Sequence, residues 1–166
     1  MTVYAEKIQI RGLSTMANNL IVAVFDNSAI AEKACQDFKD YAEKGQGFAI
    51  HSGVVVEKSP DGKLSVLEQQ TRSFWGTTIG AVTGALIGLL GGPVGSIIGF
   101  AVGASAGLTG HALRVLLDDE LVNAISAKLT PGRAAVVLEA DEPSPFFVDN
   151  VVTGYGGSVH RKAYPE

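Results

Sequence analysis

The sequence is poor in cysteine and in basic residues, and both shortages restrict the classes of protein it can encode. Cys35 is the single cysteine among 166 residues, so the chain cannot form an internal disulfide. Acidic residues outnumber basic ones and give a net charge of −4, which leaves no basic stripe to neutralise nucleic-acid phosphates. The first sixteen residues lack the apolar run of a secretory signal. We therefore expect a cytoplasmic protein that binds no nucleic acid.

Charge is missing altogether from residues 73–110, and this window is rich in glycine. Glycine recurs there at every fourth position in two series, Gly76, Gly80, Gly84, Gly88 and then Gly95, Gly99, Gly103, Gly107. The triplet Gly91, Gly92 and Pro93 separates the series and predicts a turn. The spacing predicts two antiparallel helices, Arg72–Leu90 and Val94–Leu117. Each glycine costs a helix about 1 kcal/mol relative to alanine, so the small faces are expected to allow close backbone packing.

The outer faces of this glycine-zipper hairpin are apolar and need a cover of lipid or protein. For lipid, Arg72, Trp75 and Arg114 are the membrane-flanking candidates, with the basic pair on the side of the soluble domain. Length argues against a full crossing, because about 17 helical residues span about 25 Å and the hydrocarbon core is about 30 Å thick. For protein, the hairpins of several subunits would pack together. Burial inside a monomer is the least favoured alternative, because the domain is small.

The rest of the chain has the patterning of an α+β domain. Apolar runs and alternation predict strands, amphipathic spacing predicts helices, and the order is β-α-β-β-insert-α-β-α-β. The predicted strands are Asn19–Phe25, Phe48–Lys58, Leu64–Gln69, 134–140 and 157–164. Of the three predicted helices, the first ends at Gly45, and the other two cover 118–129 and 144–154. The first six core elements predict a ferredoxin-like βαββαβ sheet with an extra C-terminal αβ unit. The predicted parts are an N-terminal arm (1–17), the two halves of the ferredoxin-like domain (18–71 and 116–166) and the hairpin insertion (72–115).

Four stretches resemble a bacterial family of unknown function whose members are labelled "predicted membrane protein". They are "NLIVAVFDN", "GALIGLLGGPVGSIIGFAVGASAG", "LLDDELVNAISAKLTPGRAAVVLEA" and "GGSVHRKAY", and together they cover about residues 18–164. The resemblance implies a small α/β domain that carries a glycine-zipper hairpin. It implies no established activity and no catalytic motif.

Candidate chemistry is sparse in this sequence. The glycine-rich stretch lacks the lysine and hydroxyl of a phosphate-binding loop, so we expect no cofactor. His51 and His160 lie on predicted strands and could meet across the sheet, but no third metal ligand can be placed, so no metal is expected. His111 lies one helical turn from Arg114 at the polar end of the hairpin. The other candidates have structural explanations: Cys35 as a core residue, and Asp118, Asp119 and Glu120 as the capped, acidic start of a helix.

These observations predict a non-enzymatic protein whose glycine-zipper hairpin drives homo-oligomerisation in or against the cytoplasmic membrane. The expected partner is a second copy of the chain, with the lipid bilayer as a further candidate. One alternative is a soluble homo-oligomer, a scaffold or shell-like assembly with hairpins buried between subunits. Another is a small-ligand-binding or enzymatic ferredoxin-like module that uses the open face of the sheet.

Overall fold

The computed structural model describes residues 18–75, 81–91 and 114–165, and the fold is given for these. The strands are β1 (Asn19–Phe25), β2 (Ala49–Lys58), β3 (Leu64–Val66), β4 (Ala134–Asp141) and β5 (Ser158–Ala163). The helices are α1 (Ser28–Glu43), α2 (Glu68–Trp75), α3 (Ala81–Leu90), α4 (Asp119–Lys128) and α5 (Phe146–Gly154). The predicted arm, residues 1–17, lies outside the described residues.

The five strands form one antiparallel sheet in the order β3-β2-β4-β1-β5. The central strands β1 and β4 are buried along nearly their whole length. β1 is apolar after Asn19, and β4 is apolar apart from Glu139 and Asp141, because helices cover the sheet on both faces. The predicted α+β class is confirmed, as is the strand at Asn19–Phe25.

The first face of the sheet packs against α1 and α5. Helix α1 starts at the predicted cap, where the side chain of Asn27 accepts a hydrogen bond from the backbone N–H of Ile30. It ends before Gly45, whose φ of 69° lies in the left-handed region that ends many helices. Ala34, Cys35 and Phe38 are fully buried against the strands, which confirms the predicted apolar face of this helix.

The second face of the sheet packs against α3 and α4. Val82 and Leu86 of α3 join Leu121 and Ile125 of α4 in one buried cluster with the strands. The cap of α4 is the side chain of Asp118, which accepts from the N–H of Leu121 at 2.9 Å. Within the described residues, this face is thus covered by α4 and by the part of the insert that forms α3.

The strand order gives the elements different places from those predicted by their order in the chain. The third strand, β3, is three residues long and lies at the edge beyond β2. The centre between β1 and β2 is taken by β4, whose first seven residues are all buried. The predicted extra C-terminal unit is also part of the same sheet, because β5 pairs with β1 over six residues.

The predicted helix Arg72–Leu90 is described only in part, because residues 76–80 lie outside the described residues. Its described parts are α2 and α3, which pack on opposite faces of the sheet: Phe74 contacts the first cluster and Leu86 belongs to the second. The strand predicted as Leu64–Gln69 ends at Val66, because the chain turns there into α2. Helix α2 then covers the edge of β2, where Val55 donates its N–H to Thr71 Oγ1 at 3.1 Å and accepts from the N–H of Leu67 at 2.8 Å.

Candidate functional site

Two of the eight predicted packing glycines, Gly84 and Gly88, lie within the described residues, and both are buried in α3. Gly91 ends this helix and donates its N–H to the carbonyl of Ile87 at 2.9 Å. The remaining predicted positions of the hairpin lie outside the described residues: Gly76, Gly80, Gly92, Pro93, Gly95, Gly99, Gly103 and Gly107, together with most of the predicted helix Val94–Leu117.

Helix α3 is buried on two sides within a single chain. Val82 and Leu86 point toward the sheet and are fully buried. At 100° per residue, Gly84 and Gly88 lie on roughly the opposite side of the helix, and they too are buried. The expectation that a monomer is too small to bury the hairpin concerns both of its helices, and it stays a prediction because most of the second helix lies outside the described residues. Leu89 lies on the same side as Val82, near the end of the helix, and is 50% exposed.

A polar cluster lies under α3, inside the otherwise apolar second face. Its centre is Glu139 of β4, a residue only 8% exposed. Thr83 of α3 donates its hydroxyl to the Glu139 carboxylate at 2.8 Å, and Tyr164 donates its phenol to the other carboxylate oxygen. Ser52, which is the β2 partner of Glu139, has its Oγ 3.5 Å from Thr83 Oγ1. No ion pair joins Glu139 to a lysine, arginine or histidine of the described segments.

The hydroxyl groups of this cluster act as donors toward the acid. The pKa of Tyr164 is raised, first because the side chain is buried and then because the negative Glu139 lies beside it. The phenol therefore keeps its proton and donates a hydrogen bond to the carboxylate. The chain on either side of the cluster is fixed by the N–H of Tyr164, which bonds the carbonyl of Asn18 at 2.9 Å. The cluster holds an acid in place.

The two strand histidines do not meet, so the expectation that they could do so is wrong. His51 lies on β2 and His160 on β5, and β4 and β1 separate these strands. His51 lies at a bulge in β2 and contacts Asp141 at 2.9 Å. Among the described residues, no group of three or more His, Cys, Asp or Glu side chains is arranged to hold a metal ion.

His160 faces α4 and has an unusual environment. Its Nε2 is buried and lacks a hydrogen-bond partner among the described residues. Burial, and then the nearby charge of Lys128, lower the pKa of this imidazole. An open cavity of about 240 Å³ lies beside it between α4 and β5, lined by Asp118, Glu120, Leu121, Ala124, His160, Arg161 and Lys162. Since Nε2 has almost no accessible surface, that nitrogen is not offered to the cavity.

The remaining candidates have structural roles or stay untested. Cys35 is fully buried and its thiol pKa is raised, mainly by burial, which confirms a core residue. The Asp118 carboxylate caps α4 and pairs with Lys162, and these bonds lower its pKa. Arg72 is exposed on α2 and Arg114 is exposed just before Leu116, while the side chain of Trp75 and all of His111 lie outside the description. A membrane-flanking role for Arg72, Trp75 and Arg114 stays a prediction.

Membrane crossing was the other expectation attached to the hairpin. None of the helices in the described segments is both long enough and apolar enough to span a bilayer. The finding concerns those segments alone.

The match to a known family covers the second half of the chain. A family model described as a protein of unknown function (DUF1269) matches residues 74–163, which is more than half of the sequence. The chain belongs to this family. No curated protein and no solved structure matches this chain. The resemblance to a family of unknown function is thereby confirmed in its general form, while the membrane label and the glycine zipper stay predictions.

The matched residues contain α3, α4, β4, α5 and β5 but neither β1 nor β2. Both sheet neighbours of β4 therefore come from outside the match. The match includes two members of the polar cluster, Thr83 and Glu139, whereas Tyr164 follows it directly. Sequence reasoning did not predict this cluster. Its one signal was Glu139, the single charged residue inside the apolar run "AAVVLEA".

Proposed function

We propose that this is a non-enzymatic self-assembling protein and that the glycine-rich segment, residues 76–107, drives its homo-oligomerisation against the cytoplasmic membrane. Support comes from the exposed apolar side chains on either side of the second glycine series. Leu89 is 50% exposed and Val115 is 42% exposed, and they precede and follow that series in the chain. Large apolar side chains left in water next to an uncharged stretch favour association with another surface.

A soluble assembly is the second candidate, and a specific observation favours it. Val82, Leu86, Gly84 and Gly88 are already covered within one chain, so α3 does not need lipid to bury either side. In this form of the proposal the exposed residues Leu89 and Val115 contact another subunit, and the assembly is a soluble scaffold or shell.

We propose that the topology is ferredoxin-like, but that the strands and helices which form this pattern are not the first six elements of the chain. Helix α1 connects β1 to β2, and β4 lies between these two strands in the sheet. Helix α5 connects β4 to β5, and β1 lies between those two strands. Two such interlocked split β-α-β units are the ferredoxin-like pattern. The segment from β3 to α4 is then one long insertion between the second and third core strands.

Detergent-free fractionation tests self-assembly and separates its two forms. The full chain is expressed in bacteria, the lysate is divided into membrane and soluble fractions, and the mass of the purified soluble species is measured by light scattering. A membrane-bound chain that needs detergent for release supports the first form, and a monodisperse soluble oligomer supports the second. A soluble monomer that does not bind vesicles contradicts both.

A further inference from the structure

The buried acid Glu139 has an unusual position for a charged group. It lies on the second face of β4 between α3 and the sheet, where its neighbours include Val137 on its own strand and Leu20 on β1. A carboxylate that leaves water without a nearby cation loses a large hydration energy. Two hydroxyl groups donate to the carboxylate oxygens of Glu139 and so replace part of its water.

The two hydroxyl groups come from elements outside β4. Thr83 belongs to α3, and Tyr164 follows β5. Thr83 is fully buried and lies 3.5 Å from Ser52 Oγ, so its hydroxyl has left water along with the acid. Docking of α3 on the sheet therefore also supplies a hydrogen bond to Glu139. If α3 leaves the sheet, Glu139 loses the hydrogen bond from Thr83, and water takes the place of that hydroxyl.

The apolar part of this docking comes from one helix of ten residues. Val82 and Leu86 are its fully buried large side chains, Ala85, Ile87 and Leu90 are partly buried against the same cluster, and Leu89 at the end of the helix is half exposed. On release, the loss of these apolar contacts is partly offset because Glu139 regains its hydration. The helix carries no charged residue, so its released face is able to pack on another apolar surface.

We infer that the docking of α3 on the sheet is a switchable, self-inhibitory contact, latched by the Thr83–Glu139 hydrogen bond. Its release presents Val82 and Leu86 to a second copy of the chain. The inference rests on the proposed self-assembly, because the released helix is what the second copy binds. Glu139 and Thr83 regulate the assembly in this scheme without contacting the partner.

Hydrogen exchange in the full-length protein, measured by mass spectrometry, tests the latch. The readout is the exchange rate of residues 82–90 relative to that of β4, together with the oligomer fraction from light scattering. Thr83→Val keeps the shape and β-branching of the side chain but leaves the buried carboxylate one donor short. We expect it to speed the relative exchange of α3 by about 5- to 100-fold and to raise the oligomer fraction.

Two further variants isolate the coupling. In a Glu139→Gln background there is no charge to satisfy, so Thr83→Val is expected to change the relative exchange of α3 by less than about threefold. Thr71→Val is the matched control, because Thr71 is a second buried threonine whose hydroxyl bonds the backbone of Val55 on the edge of β2. It is expected to leave the exchange of α3 relative to β4 unchanged.

The latch is overturned if Thr83→Val leaves the exchange of α3 at the wild-type rate, or if its effect is the same with Gln at position 139. It is also overturned if α3 is released but the oligomer fraction does not change while the wild-type chain assembles; the proposed self-assembly then stands without this regulation. If the wild-type chain stays monomeric at every concentration and does not bind vesicles, the proposed self-assembly itself is contradicted.

Discussion

Replacement of Leu86 by alanine measures how firmly α3 belongs to the core of one chain. Leu86 is fully buried between α3 and the second face of the sheet. Three apolar carbon groups lost at about 0.8 kcal/mol each set a floor of about 2 kcal/mol, and a cavity that does not collapse raises the loss to about 5 kcal/mol. Alanine is the best helix former, so the loss reports packing rather than helix propensity.

The matched control is Leu89→Ala, one turn along the same helix at a side chain that is half exposed. It is expected to lower the free energy of unfolding by about 1 kcal/mol or less. Both variants are unfolded in urea and followed by circular dichroism, at two protein concentrations about a hundredfold apart so that subunit contacts are separated from contacts within the chain. Equal losses at the two positions would refute the packing of α3 on its own sheet.

Three other expectations concern the rest of the fold. Gly157→Ala should destabilise the protein by about 1–3 kcal/mol in urea, because an added Cβ would lie 2.7 Å from the carbonyl oxygen of Val24, whereas Gly154→Ala meets nothing within 4 Å and should be neutral or stabilising. The urea midpoint should fall as the pH drops through the ordinary histidine pKa of 6.5, because His160 takes up a proton in the unfolded chain, whereas its pKa in the folded protein is lowered. The variant His160→Gln should make the urea midpoint depend less steeply on pH. An unchanged pH dependence in this variant would contradict the burial of the ring. Cys35 should react with a disulfide reagent at least about a hundredfold more slowly in the native protein than in urea, and fast native labelling would contradict its place in the core.

Local patterns in the sequence predicted those elements whose neighbours matter little. The run Asn19–Phe25 is buried on both faces, which is why a continuous apolar stretch identifies it as a central strand. Helix α1 is bounded by a capping side chain and by a glycine with positive φ, and both signals are local. The same holds for the cap of α4 at Asp118.

Positions set by distant contacts could not be predicted in this way. The placement of β4 between β1 and β2 depends on pairings across more than a hundred residues, such as Leu20 with Glu139, and periodicity gives a strand its faces but not its neighbours. Helix α2 is polar and has no glycine, whereas α3 is apolar and glycine-spaced. This change of composition does not show that the two helices pack on opposite faces of the sheet, because composition does not assign a helix to a face.

The polar cluster shows the same limit at the level of single side chains. Glu139 lies 56 residues from Thr83 and 25 residues from Tyr164 in sequence. A lone acid in an apolar strand indicates a buried or edge position, but its two donors become neighbours only when the sheet and both of its covering layers are in place. The glycine spacing predicts close packing of helices, yet α3 packs on the sheet of its own chain.

Self-association through the glycine-rich segment is tested most directly by the mass of the detergent-free protein in solution, measured by light scattering over a range of concentrations. The informative variant is Leu89→Ser with Val115→Ser, which changes two exposed side chains and so leaves the core intact. The control is Phe146→Ser, a side chain that is 73% exposed on α5, which packs on the other face of the sheet. We predict an oligomer for the wild type and for the control, and a smaller species for the double variant. Equal masses for all three proteins, or a monomeric wild type, would contradict assembly through this segment.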